Sequence, residues 1–234
     1  MSKIPKKIHY CWFGNGEKPA KVKKCIKSWK LYCPSFEIVE WNESNIDIHQ
    51  NPYMERCYNE KKYAFLADYV RLVVVEKYGG IYLDTDVELL KPLDELLENQ
   101  AYIGFETIRF VNTGMGFGSV AHGSMIKAML KEYDPLLDGK HDVIGCPILN
   151  TQALVKLGMI QDGTLQHLSV CTVYPIDWFN PYDDPTGTLK RTENTVSIHW
   201  YAKSWLSKGT VFRSYLTKPL HRFQRRLQTI MNKE

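Results

Sequence analysis

Two aspartates at the end of an apolar run, Asp84 and Asp86, constrain this chain more than any other feature. Residues 63–78 place apolar side chains at helical spacing, and Gly79-Gly80 follows where a helix would end with a left-handed glycine. Residues 81–87 then predict a strand on which the two aspartates share one face. Because neighbouring carboxylates repel each other and lose hydration there, this face needs a compensating positive charge.

A hard divalent cation with oxygen ligands is the simplest compensation for this pair, and such a cation can in turn hold a diphosphate. A bare Asp-x-Asp also occurs in solvated turns after short strands, which leaves that alternative open. Here the helix, the Gly-Gly pair, the aromatic strand and the Asp-x-Asp form one continuous run. This context favours a site for Mn²⁺ or Mg²⁺.

The composition is that of an ordinary soluble globular protein, with 234 residues, 44% hydrophobic and 24% charged. A net charge of +4 does not require a nucleic-acid partner. The six cysteines form no Cys-x-x-Cys pair, which argues against a zinc ribbon and a disulfide framework. No apolar signal core begins the chain, and no apolar run approaches the roughly 20 residues of a membrane span. We therefore expect a cytoplasmic protein.

The order of elements predicts an α/β fold. Residues 4–14 and 36–41 indicate strands, residues 19–32 a basic amphipathic helix, and residues 52–62 a short helix before the central one. This alternation predicts a mostly parallel sheet flanked by helices. Further strands are predicted at 101–106 and within 161–179, further helices at 123–133 and before residue 157, and a turn-rich loop at 181–187. The first strand ends in a glycine loop, which is where many α/β folds bind a nucleotide.

Several segments together resemble the DXD-containing glycosyltransferases of family 32 and, more distantly, the glucosylating clostridial toxins. They are IPKKIHYCWFG at 4–14, SW and CP within 28–34, the Asp68-x-x-Arg71 helix, YGGIYLDTDV at 78–87 and SIHWYAKSW at 197–205. The GG-x-Y-x-D-x-D core is the most specific of these. The resemblance implies one GT-A type domain over residues 1–210, with a Rossmann-like, mostly parallel central sheet.

The resemblance also implies donor contacts in the first half of the chain. Trp12 is the candidate for stacking on the nucleotide base, with His9 beside it. Asn112, in the glycine-rich segment of residues 110–119, is the candidate contact of the donor sugar. Asp68 would accept hydrogen bonds from ribose or sugar hydroxyls, and Arg71 would add positive charge near the donor. The alternatives are a Trp12 that only packs in the core, a buried and satisfied His9, and a plain hairpin loop around Asn112.

A second group of predicted site residues lies late in the chain. His199 is a candidate metal ligand whose other ring nitrogen would be held by an acceptor. Lys203 and Ser204 are candidate diphosphate contacts, and Trp205 would close over the diphosphate. An ordinary edge strand with an exposed lysine is the alternative for this segment.

These residues suggest a transferase that uses a nucleotide-sugar donor. Asp86 would ligate the cation, while Asp84 would contact ribose, a sugar hydroxyl or a metal-bound water. Together with Arg71 they form the predicted catalytic set. By analogy with the family, transfer would retain the anomeric configuration through a front-face displacement with the diphosphate oxygen as base. A UDP-linked donor is favoured, and the expected acceptor is a glycan or lipid-linked glycan of a capsule, lipopolysaccharide or cell-wall precursor.

Two other functions fit part of the pattern. A phosphatase or phosphotransferase of the haloacid-dehalogenase type also places Asp-x-Asp after an apolar strand, with Asp84 as nucleophile and Asp183-Asp184 as a later acidic pair. The Asp-x-Asp lies too far into the chain for that class, and the preceding helix has no role there. A carbohydrate-binding protein without turnover would use the abundant tyrosines and tryptophans for stacking, but it would leave the paired acids idle.

Residues 211–234 differ in character from the rest of the chain. Apolar residues recur there at helical spacing, and arginines and lysines fill the other face. This pattern predicts a basic amphipathic helical tail that lies on the anionic inner face of the cytoplasmic membrane. A core-packing helix and a nucleic-acid patch are the alternatives for the tail.

Overall fold

The computed structural model describes residues 3–202, 217–219 and 221. The strands in this part of the chain are β1 (Lys7–Cys11), β2 (Glu37–Trp41), β3 (Gly80–Tyr82), β4 (Val87–Leu89), β5 (Ala101–Gly104), β6 (Phe117–Ser119), β7 (Gln166–His167), β8 (Thr172–Tyr174), β9 (Tyr182–Asp183), β10 (Thr188–Leu189) and β11 (Ser197–His199). The α-helices are α1 (Ala20–Tyr32), α2 (Pro52–Asn59), α3 (Tyr63–Tyr78), α4 (Ser124–Lys131), α5 (Cys146–Lys156) and α6 (Ile176–Phe179). Short 3₁₀ helices cover Asp94–Glu98, Thr113–Met115 and Asp134–Leu136.

Seven strands form the central sheet, in the order β2-β1-β3-β6-β5-β8-β7. Strands β2, β1, β3, β5 and β8 run in one direction, whereas β6 and β7 run against them. The prediction of an α/β fold with a mostly parallel sheet is therefore confirmed. The carboxyl ends of β1 and β3 lie side by side, because Ile8 pairs with Ile81 and His9 with Tyr82.

Each face of this sheet is covered by its own hydrophobic core. Alternation along β5 shows this, because Ala101 and Ile103 pack into one cluster while Tyr102 packs into the other. The first cluster contains the apolar side chains of α2, α3, α4 and α5. The second contains those of α1, β4, the 94–98 turn and α6. The sheet is thus the middle layer between two helical layers.

Helix α3 is held by burial. Its β-branched residues Val70, Val74 and Val75 are at most 1% exposed, which offsets their modest helix propensity. The helix ends at Gly79, which has a φ of +62° and donates its backbone N–H to the Val75 carbonyl at 2.9 Å. A side chain at Gly79 would also press on the backbone nitrogen of Ala121. Glycine is therefore required at this position for both conformation and space.

The predicted continuous strand over residues 81–87 is wrong. Strand β3 ends at Tyr82, and β4 begins only at Val87, where it joins β11 in a separate two-stranded sheet. A turn lies between them, closed by a hydrogen bond from the Val87 N–H to the Asp84 carbonyl at 3.0 Å. The two aspartates therefore do not share a strand face. They converge because the chain turns as it passes from the large sheet to the small one.

The region after residue 160 is also less regular than predicted. The single strand expected within 161–179 is instead the antiparallel pair β7 and β8 followed by the short helix α6. The expected loop at 181–187 contains β9, which pairs with β10. Such two- and three-residue strands are too short to leave a readable periodicity. The predicted tail lies outside the described residues except for 217–219 and 221. Within the described part, no helix combines the length and apolarity needed to cross a membrane.

His9 is buried in the sheet at 1% exposure, and the protein engages both of its ring nitrogens. Trp41 donates its indole N–H to Nδ1 at 3.1 Å, so the imidazole carries its proton on Nε2, which lies 2.8 Å from the Gly79 carbonyl. Burial lowers the pKa of His9 below its ordinary value of 6.5. The side chain thus fits the alternative of a buried, satisfied histidine, and its predicted place beside a nucleotide remains a prediction.

We expect His9 to make folding sensitive to mild acid. The unfolded chain binds a proton at His9 below about pH 6.5, whereas the native chain resists it, so stability falls as the pH drops through that range. One such group contributes a slope of at most about 1.4 kcal/mol per pH unit. The free energies of unfolding of the wild type and of His9→Gln should therefore converge between pH 7.5 and pH 5.5 in urea titrations. A constant gap would contradict this expectation.

Candidate metal and donor site

The site lies at the turn of residues 83–86, beside the carboxyl ends of β1 and β3. Two backbone hydrogen bonds tie the turn to distant segments of the chain. Asp84 donates its N–H to the Gly114 carbonyl at 3.2 Å, and the Asp86 carbonyl accepts from the Trp200 N–H at 3.1 Å. The antiparallel pairing of β4 with β11 sets His199 opposite Val87, next to Asp86. Secondary structure alone thus brings a residue from the end of the chain to the Asp-x-Asp.

Three side chains meet there in a group that can ligate a metal. Each of Asp84, Asp86 and His199 offers one ligand atom, and these atoms lie within 4.8 Å of one another. Nε2 of His199 is 3.3 Å from Oδ1 of Asp86. The other carboxylate oxygen, Oδ2 of Asp86, accepts the backbone N–H of Ala202 at 2.7 Å. The late histidine and the two aspartates of the motif thus lie together, and their role as metal ligands stays a prediction.

Asp84 is oriented by a buried arginine. One end of the Arg71 guanidinium donates to Oδ1 of Asp84 at 2.8 Å, and the other end contacts Oδ1 of Asp68 at 3.0 Å. The Tyr82 hydroxyl donates to the same Asp84 oxygen at 3.1 Å, and the Arg71 guanidinium lies 4.8 Å from the centre of the Tyr82 ring. Helix α3 therefore places Arg71 at 2% exposure, where two carboxylates share its charge.

The two aspartates of the motif have different proton affinities. Burial raises the pKa of Asp84 to about 6, and the charge of Asp86 adds to that effect while Arg71 opposes it. Burial also acts to raise the pKa of Asp86, but the adjacent His199 and the Ala202 N–H outweigh it, so this pKa is lowered. In turn, Asp86 raises the pKa of His199 against the effect of burial. Asp86 is therefore the more firmly ionised of the pair.

This donor set fits a divalent cation such as Mn²⁺ or Mg²⁺. Carboxylate oxygens are the ligands that hard cations prefer, and a single imidazole suits Mn²⁺. The cluster also carries an unsatisfied atom, because the buried Nδ1 of His199 has no hydrogen-bond partner among the described residues. The acceptor expected to hold that nitrogen is thus not found in this part of the chain. A bound cation is the simplest explanation for a buried histidine that lies beside two acids.

Gly114 leaves the space that Asp84 occupies. A Cβ at this position would overlap Oδ2 of Asp84 and approach Oδ1 of Asn112 to 3.1 Å. Asn112 Oδ1 in turn accepts the Gly114 N–H at 2.7 Å, which fixes the 3₁₀ turn of Thr113–Met115. The glycine-rich segment therefore contributes shape to the site, and the donor contact of Asn112 stays a prediction.

Replacing Gly114 with Ala is expected to weaken Mn²⁺ binding by about tenfold or more, because the methyl group displaces one ligand carboxylate. Electron paramagnetic resonance of free Mn²⁺ would measure the affinity. Gly16→Ala is the matched control, since a Cβ there meets nothing within 4 Å. Equal Mn²⁺ affinity in both variants would show that Gly114 does not shape the metal site.

The remaining predicted donor residues differ in burial, and some of them lie outside the described residues. Trp12 is partly buried just past β1, its indole N–H donates to the Gly16 carbonyl at 2.7 Å, and the Lys18 ammonium lies 5.4 Å from its ring centre. Asp68 is 9% exposed, and burial raises its pKa while Arg71 opposes this. Lys203, Ser204 and Trp205 lie outside the described residues. The donor roles of all these residues remain predictions.

Sequence reasoning missed Glu106 and Tyr201, which adjoin the site. Glu106 ends a predicted strand just before the glycine-rich segment, and Tyr201 stands inside the SIHWYAKSW segment. Their only sequence signal is this position between residues already selected. Tyr82, whose hydroxyl contacts Asp84, was predicted only as part of a strand.

Comparison with known proteins gives a family match over part of the chain and a structural match to its fold. Residues 19–103 match the family model described as a glycosyltransferase sugar-binding region containing a DXD motif. The matched segment includes Arg71, Asp84 and Asp86. The resemblance to DXD-containing glycosyltransferases is therefore confirmed over this part of the chain.

Two curated relatives come from Schizosaccharomyces pombe. Inositol phosphoceramide mannosyltransferase 3 is 36% identical over 104 residues, covering 43% of this chain and 29% of the relative. Inositol phosphoceramide mannosyltransferase 1 is 26% identical over 114 residues, covering 44% of this chain and 34% of the relative. The alignments thus span about a third of the length of these relatives.

Among solved structures, the PaToxG glycosyltransferase resembles this chain with a TM-score of 0.52 and 21% sequence identity. The similarity covers 66% of this chain and 70% of that one. At this level of identity the likeness concerns the fold, and the predicted GT-A type α/β fold is confirmed.

Proposed function

We propose that this protein is a metal-dependent glycosyltransferase that moves a sugar from a nucleotide-sugar donor to a glycan or lipid-linked glycan. The observation that carries the proposal is the meeting of Asp84, Asp86 and His199, whose ligand atoms lie within 4.8 Å of one another. The two aspartates belong to the segment of residues 19–103 that matches the DXD family model. The position agrees with it, because ligands of α/β sheets bind outside the carboxyl ends of the strands.

The residues of the cluster have distinct tasks in this proposal. A cation held by Asp84, Asp86 and His199 would neutralise charge on the leaving diphosphate. Arg71 keeps Asp84 oriented through their 2.8 Å contact, and the Ala202 N–H does the same for Asp86. The Arg71 guanidinium is buried and shared by two acids. We therefore assign Arg71 the role of orienting Asp84 rather than that of contacting the donor directly.

The donor is proposed to be stacked by Trp12 and contacted by Asn112. A UDP-linked donor follows from the family resemblance. A mannosyl donor is the second possibility, because the two curated relatives are named as mannosyltransferases. Retention of the anomeric configuration, with the diphosphate oxygen as base, completes the proposal by analogy.

The acceptor is proposed to be a surface polysaccharide or a membrane lipid glycan, handled at the cytoplasmic face. The names of the curated relatives point to an acceptor built on inositol phosphoceramide in those proteins. Contact of the basic tail with anionic lipid is part of the same proposal and rests on the sequence pattern of residues 211–234.

One assay tests the reaction class. The purified protein is incubated with Mn²⁺ and a panel of UDP- and GDP-linked sugars, and release of the nucleoside diphosphate is followed with and without EDTA. We expect slow, EDTA-sensitive hydrolysis of one donor. Cleavage of p-nitrophenyl phosphate with no action on the panel would instead support the haloacid-dehalogenase alternative. Sugar binding without any turnover would support the carbohydrate-binding alternative.

A further inference from the structure

Glu106 joins two segments of the site that are far apart in the chain. Its Oε1 accepts the Asn112 amide N–H at 2.9 Å and the Tyr201 hydroxyl at 3.1 Å. Asn112 belongs to the glycine-rich segment that supports Asp84, and Tyr201 follows the strand that carries His199. A single carboxylate oxygen therefore connects the structures that support two of the three metal-ligand candidates.

On the Asn112 side, the connection reaches Asp84 through hydrogen bonds. The amide oxygen of Asn112 accepts the Gly114 N–H at 2.7 Å, so its nitrogen must face Glu106. The Gly114 carbonyl then accepts the Asp84 N–H at 3.2 Å. Loss of the Glu106 acceptor would leave the Asn112 amide N–H without this partner and would weaken the support of the turn that holds Asp84.

On the Tyr201 side, the connection reaches His199 through ring packing. The centres of the Tyr201 and His199 rings are 4.1 Å apart. Tyr201 has a φ of +49°, a conformation that is unfavourable for a tyrosine and must be held by its surroundings. Besides Glu106, the Asn180 amide contacts the Tyr201 hydroxyl at 2.7 Å. These two contacts hold the ring against the imidazole.

We propose that Glu106 is a positioning residue that sets Asp84 and His199 at the spacing a divalent cation requires. This inference rests on the proposed function, since it concerns the same metal site. Glu106 acts here through its neighbours, as an acceptor for two donors, and does not itself contact the reacting atoms. An amide oxygen can accept the same two hydrogen bonds, so the role needs an acceptor at this place rather than a negative charge.

The test uses the whole 234-residue chain and compares Glu106→Ala, Glu106→Gln and Tyr201→Phe with Glu98→Ala, which changes a surface glutamate paired with Lys3. Mn²⁺ affinity is measured without donor by paramagnetic resonance, and kcat and KM are measured on the nucleotide sugar that the wild type hydrolyses. We expect E106A to weaken Mn²⁺ binding by about 10- to 100-fold, as loss of a residue that orients metal ligands does. We expect E106Q to stay within about threefold of the wild type and Y201F to fall between the two.

Several outcomes would overturn the inference. Mn²⁺ affinity of E106A within about threefold of the wild type would show that the residue does not position the ligands. Loss of kcat in E106Q as large as in E106A, at unchanged Mn²⁺ affinity, would make Glu106 a reacting carboxylate instead. If E106A does not fold, Y201F decides, because it removes a single hydroxyl, and wild-type affinity there would overturn the inference. A wild type that neither binds Mn²⁺ nor cleaves a nucleotide sugar would instead overturn the proposed function itself.

Discussion

Replacement of Asp86 by Asn is expected to lower turnover of the nucleotide sugar by about 10³-fold and to remove Mn²⁺-dependent binding of the nucleotide. The amide preserves the shape of the side chain and can still accept the Ala202 N–H that now reaches Oδ2 at 2.7 Å. It removes the more firmly ionised of the two acids, on which the affinity for a cation depends most. Steady-state release of the nucleoside diphosphate and calorimetric titration with the nucleotide would measure both effects.

Asp94→Asn is the matched control for this change. Asp94 pairs with Lys6 on the surface at 2.7 Å, so its loss of charge should leave turnover unchanged and stability within about 0.5 kcal/mol. Wild-type turnover in the Asp86 variant would remove the metal hypothesis, whatever the control does. Equal loss in both variants would point to a general effect of charge on the fold.

Replacement of Arg71 by Met is expected to lower the free energy of unfolding by about 3 kcal/mol at pH 7.5, because it leaves two enclosed carboxylates without their shared cation. Methionine fills much of the space, so packing contributes little to this loss. The penalty should shrink at pH 5, since Asp68 and Asp84 then take up protons more readily than they do in the unfolded chain. Urea unfolding at the two pH values would measure it.

Arg109→Met is the control that distinguishes the effect of losing Arg71 from the effect of replacing an arginine elsewhere. Arg109 lies on the exposed loop between β5 and the glycine-rich segment, and its replacement should change stability by less than about 0.5 kcal/mol. A cost for Arg71→Met that does not depend on pH would show that the carboxylates are not the source of the loss. If the carboxylates are the source, the double variant Arg71→Met with Asp68→Asn should recover part of the lost stability.

The sequence was most informative where local rules act alone. The end of α3 at Gly79 is predictable because only glycine tolerates the conformation there, and the alternation of strands and helices is enough to predict a mostly parallel sheet. The pairing of Asp68 with Arg71 also follows from their spacing on one helix. In each case the interacting groups are close neighbours in the chain.

Prediction was weaker where the site depends on long-range contacts. The two aspartates do lie together, but through a turn that Gly114 and Trp200 hold, and neither hydrogen bond can be inferred from the residues around Asp84. The Arg71–Asp84 contact and the role of Glu106 were missed for the same reason. These pairs are brought together by the sheet order and by the β4–β11 pairing, which no local pattern encodes.

The turn between β3 and β4 has a consequence for the order in which the site is built. Its two aspartates emerge from the ribosome early, yet the backbone N–H that fixes Asp86 belongs to a residue 116 positions later. A nascent chain halted before residue 197 has both acids but lacks His199 and the partner strand of β4. The group of Asp84, Asp86 and His199 can therefore form only once translation has passed β11, after all seven strands of the central sheet have been synthesised.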